Sequence, residues 1–235
     1  MKKRLFYCLL VFPVCLLMIH SPVKASTDAP KPTPQVERVQ NAVEVCQELI
    51  GLPEAGIPEA LLRKSQAIAI MPGVFKAAYV VGGEHGKGVL LVRRDDGSWS
   101  NPIFISMTGG SLGFQIGAQK ADIILVFKDR KSVETITRGK FTLGGDASVA
   151  VGPVGRAAEA STDIKFEAEV YSYSKAKGLF AGVSIKGASI SIDKDSNASF
   201  YRSFHLTADD ILNRSDLEAP RVAQELRNLL AKYAK

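Results

Sequence analysis

Cysteine is nearly absent: the 235 residues hold three, at positions 8, 15 and 46. The first two fall in a leader expected to be removed, so Cys46 stands alone and no intrachain disulfide can brace the fold. It lies on an apolar helical stripe with no activating base or cation in sequence, which predicts a small buried hydrophobe and not a reactive thiol. Histidine is almost as scarce. Beyond the leader only His85 and His205 remain, and neither belongs to the spaced ligand sets of a metal site. No cofactor is called for. The apolar run from Leu5 to Ile19 contains Pro13 and falls short of the ~20 residues of a spanning helix. Charge of one sign is lacking too. The formal +6 includes Lys2, Lys3, Arg4 and Lys24, and without them 26 basic residues face 24 acidic ones. A formal +2 leaves nucleic acid no electrostatic footprint.

What is present describes a globular chain. With 46% hydrophobic and 23% charged residues, the sequence can bury a core without metals or bridges. Lys2-Lys3-Arg4, the apolar run and Val23-Lys24-Ala25 make a signal peptide with its cut after Ala25. Phe12-Pro13-Val14 lacks the small residue that precedes a lipidated cysteine at position 15. Residues 26–34 (STDAPKPTP) read as a flexible Pro-rich tether. One domain follows over 35–235, with N-terminal helices in 35–64, a β core in 66–194 and C-terminal helices in 197–235.

Helix signals bracket that core. Val36, Val39, Val43, Cys46 and Ile50 form one face, ended by Gly51-Leu52-Pro53. The opposite face carries Glu37, Arg38, Glu44 and Glu48, an excess of acid that an anionic bilayer repels, so the helix is expected to pack on the sheet. A short helix spans Pro58 to Lys64, and another Arg130 to Arg138. Thr207-x-x-Asp210 resembles a capping box, and Pro220 opens a last helix with Val222, Leu226, Leu229 and Tyr233 on one side.

Between the helices the period falls to two. Ile68–Met71, Ala77–Gly82 and Lys87–Arg94 read as short strands divided by Pro72-Gly73 and Gly82-Gly83. Asp95-Asp96-Gly97 turns the chain into Trp99–Met107, and Ser111–Ala118 and Asp122–Phe127 follow. Gly109, Gly110, Gly113 and Gly117 mark bends or close approaches of backbone. From Ile164 to Val170 and from Leu179 to Ile185 apolar and polar residues alternate, and the parity flips at Gly187, which suits a tight turn. The class expected is α+β: an antiparallel, strongly curled sheet, barrel- or sandwich-like, flanked by N- and C-terminal helices.

The segments LGGDASVAVGPVGR (143–156), YSYSKAKGLFAG (171–182) and NASFY (197–201), with SLGFQIGAQKADIILVF (111–127) upstream, together resemble the SYLF domain. The similarity covers roughly Leu49 to Tyr233. It implies a lipid-binding module: eukaryotic members bind phosphoinositides, some fungal ones bind actin, and secreted bacterial ones are described as lipid-binding. For an exported chain of this kind the expected place is the periplasm or cell surface, where actin is not met.

The residues suggest where lipid would dock. Ser174 to Phe180 (SKAKGLF) places Lys175 and Lys177 beside Leu179 and Phe180, cations to draw anionic head groups and apolar side chains to enter the interface. Arg130 and Lys131 form a second basic cluster. The expected mechanism is electrostatic approach by these four, then shallow insertion of Leu179 and Phe180. The competing reading is an ordinary hairpin whose apolar residues pack inward. A second class of function is a scaffold that binds an envelope protein. A third, a hydrolase using Ser111 in Gly109-Gly110-Ser111-Leu112-Gly113, needs a strand–turn–helix elbow that the Gly-rich, strand-like sequel does not provide. Asp193-x-Asp195-x-Asn197 starts like a calcium loop but has Ala198 and Phe204 at the sixth and twelfth positions, so a solvated turn is expected.

Overall fold

Two long strands carry the architecture. β1 runs over Ala67–Val92 and β2 over Ile103–Phe127, antiparallel, in register from Ala67↔Phe127 to Leu90↔Ile103. The computed structural model describes residues 31–51, 56–153, 167–176, 179–180, 185–214 and 216–234, with the backbone alone for 77–82, 110–118 and 179–180. Three of the expected short strands are thus one, and likewise the three after the Asp95-Asp96-Gly97 turn. Pro72-Gly73 is a bulge, not a break: Met71 pairs Ile123 and Val74 pairs Ala121, so two residues oppose Asp122. Gly73 takes φ +60 there and its N–H donates to Asp122 Oδ1 at 2.8 Å, the kind of glycine-bearing bulge that bends a ribbon without ending it.

A straight 26-residue strand would reach about 85 Å, and this one doubles back. The Arg93 N–H donates to Gln66 O at 2.8 Å. A Cβ on Gly88 would stand 2.2 Å from Ile70 O, and one on Gly86 2.7 Å from Val74 Cγ2. Lys76 Nζ meets Glu84 Oε2 at 2.7 Å with both side chains largely buried. The first half of β1 therefore lies across its second half, and Gly86 and Gly88 exist because a side chain there would collide. Gly109, one of the expected set, is as tight: a Cβ there would stand 2.6 Å from Glu84 Oε1 and 3.1 Å from Ala188 Cβ.

Among the described residues five shorter strands join the sheet: β3 (Lys140–Thr142), β4 (Val149–Val151), β5 (Val170–Ala176), β6 (Leu179–Phe180) and β7 (Ser189–Ile192). The order is β3-β7-β2-β5-β4, with β1 on β2 and β6 on β5. β2 serves two neighbours on one edge, β7 along Ile105–Thr108 and β5 along Ala121–Phe127. The result is a strongly curled α+β sheet. It is mixed and not wholly antiparallel, because β4 runs parallel to β5. β5 begins only at Val170. The expected alternation at Ile164 and Phe166 lies outside the described residues, as do the leader and most of the tether. Gly187 adopts φ +85 in a turn closed by Ala188 N–H to Ile185 O, as its parity flip predicts.

Among the described residues six helices pack around the sheet: α1 (Pro34–Ile50), α2 (Glu59–Lys64), α3 (Arg130–Arg138), α4 (Lys194–Tyr201), α5 (Ala208–Asn213) and α6 (Arg221–Tyr233). Thr33 caps α1, and Val39, Ala42, Val43, Cys46 and Leu49 bury its apolar side against β1 and α6. Burial pushes the Cys46 thiol up to about 12, so the thiolate is absent at neutral pH. The Thr207–Asp210 capping box forms as expected. On α6 the fully buried positions are Ala223, Leu226 and Leu230, with Val222, Leu229 and Tyr233 at the margin.

Asp193 and Asn197 are not a solvated turn. Asp193 is the N-cap of α4, accepts from Ser196, and takes Arg38 of α1 at 3.4 Å and Lys87 of β1 at 3.2 Å. Burial alone raises its carboxyl, but the hydrogen bonds from Ser196 and Lys87 outweigh that and hold it below the usual range. A folded value below the unfolded one stabilises above the ordinary carboxylate range, and the gain disappears as pH falls through the folded value. Asp193→Ala should cost about 1–2 kcal/mol at pH 7. In urea unfolding the gap between variant and parent should shrink steadily as the buffer is taken below about pH 4. A gap that stays constant to low pH would show the carboxylate charge to be irrelevant.

Candidate membrane-docking site

One end of the sheet assembles residues far apart in sequence. Across the bulge, Val74 (fully buried) pairs Ala121, and the next pair is Phe75 with Lys120. Paired residues share a face, so Phe75 and Lys120 project together, away from the core side taken by Val74 and Ala121. Phe75 is 45% exposed and Lys120 is exposed. The β2–β5 ladder reaches this end at Ala121↔Ala176 and Asp122↔Lys175, and β6 continues the row through Ala176↔Leu179 and Lys175↔Phe180. Lys175 thus shares the face of Lys120 but lies opposite Asp122, two residues farther along β2, with the β6 backbone beyond it.

Each predicted site residue has a definite position or none. Lys175 Nζ meets Glu48 Oε2 of α1 at 2.8 Å, with side chains 21% and 54% exposed, a pair worth about 1 kcal/mol at most. Its charge is therefore partly spent on holding the end of α1. Lys177 lies outside the described residues, and Leu179 and Phe180 are described by backbone alone. Arg130 and Lys131 start α3, beyond Phe127, while Lys175 sits opposite Asp122. Five residues of strand, about 17 Å, separate those positions along β2. Lys175 and the Arg130–Lys131 pair therefore stand apart along the sheet. Arg130 is engaged with Asp95 at 2.6 Å and with Gln66 and the Arg93 carbonyl; Lys131 is exposed.

The pairing of Phe75 with Lys120 was not legible in the sequence because it depends on a register that the Pro72-Gly73 bulge sets. Phe204, between α4 and α5, is 89% exposed beside the exposed Arg202 and His205. It was hidden by its resemblance to a failed calcium-loop position.

The remaining motifs find ordinary places. The Ser111 backbone pairs Gly82 inside the uninterrupted β2, with no strand–turn–helix elbow. His85 is exposed on β1 opposite Thr108, and among the described residues no cluster of three metal-binding side chains occurs. No described helix is long and apolar enough to cross a membrane. The NASFY segment serves the fold. Asn197 clasps Phe104 at both its N–H (2.9 Å) and carbonyl (3.2 Å), Phe200 packs on the Phe104 ring at 4.9 Å, and Tyr201 Oη donates to Pro102 O at 2.7 Å.

Comparison with known proteins finds a family and a set of relatives for the chain. Residues 108–233 match the family model described as "Ysc84: Las17-binding protein actin regulator". The chain is similar to SH3 domain-containing YSC84-like protein 1 of Xenopus laevis (35% identity over 182 residues, 77% of this chain and 54% of the relative). Its similarity to the Homo sapiens protein of that name is 36%, over 77% of this chain and 52% of the relative. LAS seventeen-binding protein 3 of Saccharomyces cerevisiae is 38% identical over 148 residues, 62% of this chain and 32% of the relative. The chain thus spans about half the length of the animal relatives it matches, and less of the yeast one.

Proposed function

The chain belongs to the Ysc84 (SYLF) domain family, and on that footing we propose that it is a non-enzymatic binding module that docks on an anionic lipid surface. The end of the sheet around Phe75 and Lys120 would meet the bilayer. The observation that carries this reading is the Phe75↔Lys120 pair, an exposed aromatic and an exposed cation on one face beside the Lys175–Phe180 strand end. Lys120, with Lys177 from the adjoining sequence, draws the head groups, and Phe75 enters the interface, with the Leu179–Phe180 strand at the adjoining edge of the sheet. Lys175 contributes less because Glu48 shares its charge. Arg130 and Lys131 stand too far along β2 to take part. With a leader cleaved after Ala25, the surface met is that of the cell envelope.

Co-flotation of the protein lacking residues 1–25 tests this, using phosphatidylcholine vesicles with and without phosphatidylserine or a phosphoinositide. Binding should require the anionic lipid. At low salt Lys120→Glu should weaken it roughly thirtyfold, since each cation at the surface is worth about 1 kcal/mol and the change counts twice. Phe75→Ser should weaken it comparably, and Lys131→Glu should leave it nearly unchanged. Equal binding to neutral vesicles, or a loss with Lys131→Glu equal to that with Lys120→Glu, would overturn the assignment.

A second reading, a protein-binding scaffold, is favoured by the Phe204 tip and by a relative named for binding LAS seventeen. In-cell crosslinking distinguishes it: a discrete protein adduct lost in Phe204→Ser supports a scaffold, and an unchanged adduct pattern removes that role from the tip.

A further inference from the structure

Away from the Phe75 end, the side of the sheet turned from the core carries a second surface. Four strands meet there in unbroken register: His85↔Thr108↔Ser189↔Thr142 from β1 through β2 and β7 to β3, and Lys87↔Ser106↔Ser191↔Lys140 beside it. Paired residues share a face, and the alternate positions Met107, Ile190 and Phe141 are fully buried on the other side. The hydroxyls meet across the strands: Ser106 Oγ lies 3.1 Å from Ser191 Oγ, and Thr142 Oγ1 3.5 Å from Ser189 Oγ. His85, Lys87, Thr108 and Lys140 are exposed and the other four half-buried. Farther along β2 the same face is closed, where Phe104 packs against Phe200 at 4.9 Å and under Arg38 at 5.3 Å.

A polar outer side is ordinary for a half-buried sheet; the sign of its charge is what sets this one apart. The two rows hold hydroxyls and bases, with neither an acidic nor an apolar side chain among them. Lys186, exposed in the turn before β7, leans on Gly144 just past Thr142, where a Cβ would stand 3.4 Å from its Cγ, and so adds a base at the remaining corner. Among the described residues no carboxylate pairs with His85, Lys140 or Lys186. The acids nearby are engaged: Glu84 with Lys76 at 2.7 Å, Asp193 with Lys87 at 3.2 Å and Arg38 at 3.4 Å, and Asp146 with the Thr142 N–H at 2.7 Å. Asp195 lies beyond Asp193 on α4. Strands stand about 4.8 Å apart, so Lys87 and Lys140 bracket about 14 Å of hydroxyls, too wide for one phosphate. Without an apolar side chain the two rows also give a bilayer nothing to hold.

We infer that this face binds an acidic glycan, a linear chain of sugars bearing carboxylates, laid across β1, β2, β7 and β3. Its carboxylates meet Lys87, Lys140 and Lys186, and its hydroxyls meet the Ser and Thr side chains, each of which can both donate and accept. The inference does not rest on the docking reading, since the two surfaces share no residue.

Calorimetry and amide-resolved NMR on the protein lacking residues 1–25 test it, with oligogalacturonate at low salt as the probe. Oligogalacturonate should bind, shift the amides of Ser106, Thr108, Ser189 and Ser191, and bind more weakly as sodium chloride is raised. Neutral maltoheptaose, which has the hydroxyls alone, and polyglutamate, which has the charge alone, should each bind at least about tenfold more weakly. Lys140→Glu combined with Lys186→Glu should lose at least about tenfold in affinity. Thr108→Glu, which sets an acid at an exposed position within the rows, should lose a similar factor while its thermal unfolding stays near that of the parent. Lys120→Glu, expected to weaken vesicle binding, should leave the glycan affinity unchanged, so that failure at one surface is told from failure at the other. No binding of oligogalacturonate, polyglutamate bound as tightly, shifts confined to the Phe75 end, or full binding by the Lys140–Lys186 double variant would each overturn the inference.

Discussion

Gly88→Ala is expected to destabilise the fold by roughly 3 kcal/mol or more, seen as a lower urea midpoint with unchanged slope. The added methyl would lie 2.2 Å from Ile70 O, 2.6 Å from Met71 Cγ and 2.9 Å from Met71 Cα. Two of those atoms are backbone of fully buried residues, so relief requires the two halves of β1 to part. Gly83→Ala is the control. Nothing lies within 4 Å of a Cβ there, and the change should be nearly neutral. If both alanines cost the same, the loss is one of backbone entropy in strands and the fold-back of β1 does not constrain Gly88.

Asn197→Ala should cost about 3 kcal/mol. The side chain is 3% exposed and makes three bonds: it accepts from Phe104 N, and donates to Phe104 O and to Asp193 O at 3.0 Å. These hold the beginning of β2 against the first turn of α4. Alanine leaves a buried N–H with no acceptor, and no water-exposed path replaces it. Asn197→Asp keeps that acceptor and loses both donors, so it should fall between the two. Thermal unfolding of the three proteins at one pH gives the order; an alanine variant as stable as the parent would contradict the clasp.

These two positions show what the sequence makes legible and what it does not. Helices were readable because their signals are local: the Thr207–Asp210 box and Pro220 each sit within a turn of the helix they start, whereas the Thr33-Pro34 start of α1 was read as tether. The Asp95-Asp96-Gly97 turn was readable for the same reason, with Gly97 at φ +82. Strand lengths were not. Pro72-Gly73 and Gly82-Gly83 carry the chemistry of breaks, yet the ladder to β2 runs through both, one as a bulge and the other as plain strand. Asn197 looked like a turn residue because its partner, Phe104, lies 93 positions away. The docking site divides along the same line. The cations and apolar residues of SKAKGLF are adjacent in sequence, whereas Phe75 and Lys120 meet only through a register shifted by the bulge, and nothing near Lys175 announces that Glu48 will take its charge.

The most direct test is the depth of the Phe75 end in a bilayer. A nitroxide on Gln119→Cys sits at the same end of β2 on an exposed position of the opposite face and leaves the Phe75–Lys120 pair intact, and the buried, undissociated Cys46 does not compete for the label. With anionic vesicles, power-saturation EPR should show that label gaining oxygen access and losing access to a water-soluble nickel chelate, while labels on Lys131→Cys and Phe204→Cys stay aqueous. A Gln119 label that remains fully water-accessible on bound protein, with either of the other two moving into the lipid phase, would contradict the account.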